Sequence, residues 1–401
     1  MSETPSVSAE APEKPKQDAS VPKEAPFGVN EMRMTLKQWL ATAGIVLVSA
    51  ALLPRMWKHV EKFDTPIDYR IPYAISSDYW LYQWRADQIP QSSIPIIGDS
   101  VVWGEYVQRD GTLSHFLSQS AGQPSKFVNC GVNGVFPLAL EGLVANYGQA
   151  FSGRKVIVQC NLLWQSSPKA DLSDTSEQTF NHTMLVPQGF GQIPCYKADA
   201  ATRMGAWAET HIGLWGWVNH VNAVYYKNLS MPRWALEEDG SDPPTRPNAW
   251  RNPLSPINLR VPAEPAVDTQ RGPASKRHKA WNAGGAQPSH FEWVDPAHSL
   301  QWQGFQRLIT LLKSRGADVF VILGPFNEHM VAEDQRSQYT GIRDNAAKWF
   351  EANGITHIVP EPLPTELYAD ASHPLTDGYA LLAKQVYASP TFTSWLNGAP
   401  R

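Results

Sequence analysis

Cysteine is scarce: Cys130, Cys160 and Cys195 are the only three in 401 residues. Three thiols build no disulfide framework, and their spacing fits no paired CxxC metal site. Cys130 and Cys160 lie in apolar runs and read as small core residues. No HExxH segment is present, and His182, His211, His220, His290 and His298 lack ligand spacing, so neither a metal nor a cofactor is expected. Charge is also in short supply, with 18% charged residues and a net charge of −4, which removes the electrostatic case for nucleic-acid binding. The one local basic run, Arg271, Lys276, Arg277, His278 and Lys279, reads by default as a solvated loop. Tryptophan (16) and proline (33) are plentiful instead, a balance that suits long structured loops better than a helical bundle.

Residues 1–34 carry few large apolar side chains among many Pro, Glu, Ser, Lys and Ala, the composition of a disordered tail. From Gln38 to Pro54 no residue is charged, a stretch at the short end of the roughly 17–25 residues that span a bilayer. Trp39 and Trp57 stand where interfacial aromatics belong, with Lys37 before the run and Arg55, Lys58 and Lys62 after it. A single transmembrane anchor over 35–57 is expected, uncleaved because the tail before it is too long for a signal peptide. Basic residues flank both ends. The long polar tail favours tail inside and the bulk of the chain outside the cytoplasmic membrane, which is the periplasm if the cell is Gram-negative.

Residues 58–92 read as a connector with aromatic patches against the membrane face or the domain's flank. An α/β domain over 93–395 follows. Apolar strands are expected at 94–97, 126–129, 155–160, 318–323 and 356–359, with helices between them and a final helix starting at Pro374, directly after His373. This alternation predicts a doubly wound parallel sheet flanked by helices, a three-layer sandwich. Regular periodicity lapses over 165–297, which reads as a long irregular insertion whose tryptophans form either local core or a sugar-stacking surface. Reactive loops of such sheets gather beyond the C-terminal strand ends, so Ser100, Gly134, Asn161, Asn327 and His373 are expected to share one rim.

Gly98-Asp99-Ser100 places a serine on the turn leaving the first strand. Asp370-Ala371-Ser372-His373-Pro374 supplies, far downstream, the base and the orienting acid that a serine nucleophile needs. Between them lies Asn129-Cys130-Gly131-Val132-Asn133-Gly134. Asp99 reads as a brace for the turn. Glu328-His329 reads either as a surface pair or as a second acid/base pair. Together these blocks resemble the SGNH (GDSL-like) hydrolase superfamily over about 94–164 and 298–390. The resemblance implies Ser100 as nucleophile, Asp370 and His373 as acid and base, and Gly134 as a backbone oxyanion donor.

The third block of that family, Gly-x-Asn-Asp after a strand, is missing. Asn161 stands there both as a side-chain oxyanion donor and as a loop cap, and Asn327 is the further substrate-binding candidate. With the anchor, the layout is similar to the family's cell-envelope branches, which D-alanylate teichoic acids or O-acetylate exported polysaccharides such as alginate. The implied activity is a serine esterase or O-acyltransferase acting on acylated carbohydrate or envelope polymer, with a membrane-bound acyl exporter as a possible partner. A lysophospholipase or lipase, and a non-catalytic scaffold or polysaccharide-binding subunit, are the alternatives.

Overall fold

The computed structural model describes residues 34–63, 65–174, 193–194, 199–226, 259–262 and 278–398. The expected tail, Cys195, His182 and most of the basic run fall outside them. The elements begin α1 (Leu36–Val60), α2 (Tyr79–Asp87), β1 (Ile94–Ile97), α3 (Ser100–Trp103), α4 (Leu113–Ser120) and β2 (Phe127–Asn129). Then come α5 (Pro137–Tyr147), β3 (Lys155–Cys160), α6 (Pro168–Asp171), α7 (Ala200–His211) and α8 (Gly213–Tyr225). The chain ends with α9 (Leu300–Ser314), β4 (Asp318–Leu323), α10 (Arg336–Ala352), β5 (Thr356–Ile358), α11 (Thr376–Ala388) and α12 (Pro390–Asn397).

The chain divides after Ala50, within α1. This helix is long and apolar enough to cross a membrane, and Leu40, Ile45, Leu47 and Val48 along it are exposed. A helix of a water-soluble core would bury that stripe.

The five strands form one all-parallel sheet in the order β2-β1-β3-β4-β5. Helices cover both faces, which is why the strands read as unbroken apolar runs. Side chains alternate between the two layers with a period of two. Val156, Val158, Val319 and Val321 join Phe305, Leu308 and Phe350. Ile157, Phe320 and Ile322 meet Tyr379, Leu382 and Phe392 on the other side. Each such side chain, fully buried, contributes about 1.5–3 kcal/mol.

The segment expected to be a connector is built into this core. Tyr69, Tyr79, Trp80, Tyr82 and Trp84 are buried and belong to the larger apolar cluster. Asp78 caps α2 by accepting from the Leu81 N–H. The insertion also holds two helices, α7 and α8, that periodicity does not announce. His220 on α8 is fully buried, with Nδ1 2.7 Å from the Asp78 carboxylate and Nε2 2.8 Å from that of Glu61. The Tyr225 hydroxyl and the Trp57 indole N–H also donate to Glu61. Burial alone would lower the His220 pKa, but Asp78 and Glu61 outweigh it and push it up to about 9.

The last helix starts later than expected. Pro374 is not its first residue but bridges Tyr368 in antiparallel fashion. The Ala369 N–H donates to the His373 carbonyl and the Leu375 N–H to that of Leu367, so 373–375 stay extended and α11 opens at Thr376.

Candidate active site

Ser100 is the first residue of α3, and its backbone N–H therefore has no acceptor within that helix. Asp99 caps the turn: Oδ1 accepts from the Val101 N–H at 2.8 Å, while Oδ2 accepts from Asn161 Nδ2 and Trp164 Nε1, both at 2.9 Å. Burial raises the Asp99 pKa, and these donors together with His373 oppose that shift. With its lone pairs engaged and no exposed surface, Asp99 braces the nucleophile turn.

The second block locks the other end of α3. Asn129 Nδ2 donates to the Val102 carbonyl at 2.6 Å, and its Oδ1 accepts from the Gly131 N–H at 3.0 Å. A Cβ at Gly131 would lie 2.3 Å from the Trp103 nitrogen, so only glycine lets this loop approach so closely. Gly134 follows in the same loop with φ +82, a conformation that favours glycine.

His373 lies 273 positions from Ser100, yet its Nε2 is 2.8 Å from Ser100 Oγ. Its Nδ1 is 2.8 Å from both oxygens of Asp370. Asp370 Oδ1 also accepts from the Ser372 and His373 N–H groups, each at 2.9 Å, which ties acid and base into one tight turn. Burial would raise the Asp370 pKa, but His373 and those N–H groups outweigh it and hold it below the usual range. For His373 burial pulls the pKa down, while Asp370 above all, then Asp99 and Glu105, raise it.

No family model matches the chain, and no curated protein matches it.

The expected rim is thus partly realised as a direct cluster. Ser100, His373 and Asp370 are in hydrogen-bond contact. Asn161 serves as a brace and cap: besides holding Asp99, its Oδ1 accepts from the Leu163 N–H at 3.0 Å, and it is 1% exposed. Asn327 has no exposed surface. Its Nδ2 donates to the Asp370 carbonyl at 3.1 Å and its N–H to that of Ala371 at 2.8 Å, so it positions the histidine turn from behind. Glu328 pairs with Arg343 at 2.9 Å and His329 Nε2 lies 3.1 Å from the Leu363 carbonyl, which leaves them structural.

Two neighbours of the imidazole, and a ring packed on one of them, are not visible in the sequence. Glu105 Oε2 lies 3.5 Å from His373 Nε2. The Tyr106 ring stands edge-on to His373 with centroids 5.4 Å apart, at a positive φ of +40. His278, from the end of the insertion, packs on Tyr106 at 4.1 Å. Glu105 and Tyr106 follow the Gly98–Ser100 turn directly, but only the fold brings His278 there. Among the described residues, no group of His, Cys, Asp and Glu is arranged to hold a metal ion.

Proposed function

We infer that the protein is a membrane-anchored serine esterase or O-acyltransferase of the SGNH type, with Ser100, His373 and Asp370 as its triad. The observation that carries this is the continuous relay of Ser100 Oγ, His373 Nε2, His373 Nδ1 and Asp370 at 2.8 Å per step. Neutral His373 takes the Ser100 proton on Nε2 as Oγ attacks the carbonyl carbon of an acyl ester. The oxyanion of the tetrahedral intermediate is received by the Ser100 and Gly134 N–H groups, each donor contributing about 3 kcal/mol. Collapse breaks the ester bond, and the imidazolium returns its proton to the departing alkoxide. The acyl-serine then loses its acyl group to water or to a carbohydrate hydroxyl, with His373 again acting as base.

Asp370 fixes the tautomer and offsets the imidazolium charge without itself being protonated. In this reading the substrate is acylated carbohydrate or envelope polymer outside the cytoplasmic membrane, served by a membrane-bound acyl exporter, and α1 is the anchor. Turnover of p-nitrophenyl acetate by the full chain, with and without an oligosaccharide acceptor, tests it. Release of nitrophenol that depends on Ser100 supports the reading, and acceptor acetylation selects transfer over hydrolysis. Turnover unchanged in Ser100→Ala would overturn it.

A further inference from the structure

Part of the apolar set of the insertion helices faces outward, where a water-exposed surface would be polar. Along α7, Met204 and Trp207 are 72% and 51% exposed; Ile212, before α8, and Trp215 and Val218 on it are 42%, 49% and 46% exposed. The spacing of three to four residues puts each set on one stripe, which on a solvated helix is polar. The inner face of α8 is already occupied, with Gly216, His220, Ala223 and Tyr225 buried.

That inner face is fastened to the foot of α1. His220 and Tyr225 bond Glu61, the residue after the helix ends, and Trp57 packs edge-on to Trp217 and Tyr225 at 5.5 and 6.1 Å. From Pro54, where the uncharged run stops, to Glu61 the chain rises about 10 Å, enough to cross the roughly 5–7.5 Å headgroup region of one leaflet. Arg55, Lys58 and His59 line a groove there with Glu61, Phe63, Trp84 and Asp87, the last 3.8 Å from Lys58, and basic side chains just past an apolar span suit anionic headgroups.

We propose that the outer stripe of α7 and α8 is a membrane-interface surface, seated among the lipid headgroups beside the exit of α1. Tryptophan favours that layer, and interfacial helices bury their apolar side about 5–10 Å into it. The proposal rests on α1 being the anchor. It commits to lipid, rather than to a protein partner, because the stripe belongs to a helix clamped at the point where α1 ends.

The test uses the full chain carrying Cys195→Ser, reconstituted in phosphatidylcholine/phosphatidylglycerol vesicles. A fluorophore is attached at Trp207→Cys, at Trp215→Cys, or at Lys348→Cys on α10 as control. Expected is about threefold weaker quenching by aqueous iodide at 207 and 215 than at 348, with strong quenching by lipids bearing a headgroup-proximal spin label. Iodide quenching equal to the control overturns the proposal. So does shielding from both quenchers, which would mean that protein covers the stripe. Vesicle flotation separates the two failures: a chain that floats but leaves 207 and 215 open to iodide keeps its anchor and loses this surface. A chain that does not float loses both. For the unlabelled protein, a photoactivatable headgroup lipid is expected to mark peptides within 200–218, and absence of adducts there counts against the proposal.

Discussion

His220 and His373 are both buried imidazoles with a carboxylate on Nδ1, Asp78 at 2.7 Å in one case and Asp370 at 2.8 Å in the other. They part at Nε2, where His220 meets a second carboxylate, Glu61, at 2.8 Å, and His373 meets the Ser100 hydroxyl at 2.8 Å with the Glu105 carboxylate farther off at 3.5 Å. Two carboxylates leave the His220 proton nowhere to go, and the ring becomes a fixed cation that clamps α8 to the residues after α1. A carboxylate on one side and a hydroxyl on the other leave His373 able to accept a proton and return it. The same side chain clamps a helix in one place and is the base of the proposed mechanism in the other, and the atom nearest Nε2 separates the two.

Substitutions on either side put this contrast to the test. Ser100→Ala, which removes the hydroxyl from His373, is expected to lower ester turnover by as much as about 10⁶-fold with the melting temperature nearly unchanged. His220→Leu leaves Glu61 and Asp78 buried without their cation, and loss of about 3–5 kcal/mol is expected in a denaturant titration. Asn327→Ala frees the Asp370 turn from behind. A fall in kcat of about 10- to 100-fold, with KM little changed, is the expected signature of a positioning residue.

The pH responses have opposite signs. The His220 pKa is raised, so its stabilisation is complete below about 6.5, the unfolded value, and is lost as pH climbs through about 9. Melting temperature measured from pH 7 to 10 is therefore expected to drop, and to drop less in His220→Gln. Turnover, which needs neutral His373, rises with pH instead, with its acid limb above the ordinary histidine value. Glu105→Gln removes a nearby negative charge and is expected to move that limb to lower pH, the smallest of these effects.

Strands β1, β3 and β4 are legible because each is a continuous apolar run ending at a loop rich in Gly or Asn. The Ser100, His373 and Asp370 cluster is legible because the proposed serine chemistry needs those residue types, and each lies beyond the end of a strand, Ser100 after β1 and the other two after β5. Helices α7 and α8 are not, since α7 buries no residue and α8 buries Gly216, His220, Ala223 and Tyr225 while exposing Trp215 and Val218, so no clean amphipathic pattern forms. The roles of Asn161 and Asn327 are set by long-range partners, Asp99 and Asp370, which no local spacing encodes. Glu105 is hidden for the same reason: its importance lies in the 3.5 Å to an imidazole 268 positions away, and a lone loop glutamate looks like any other.

Labelling of the full chain in membranes with a fluorophosphonate probe tests the relay most directly. Covalent modification of wild type is expected at Ser100, with none in Ser100→Ala and markedly slower labelling in His373→Ala. Labelling that persists in Ser100→Ala, or a wild-type chain that never reacts, would contradict it.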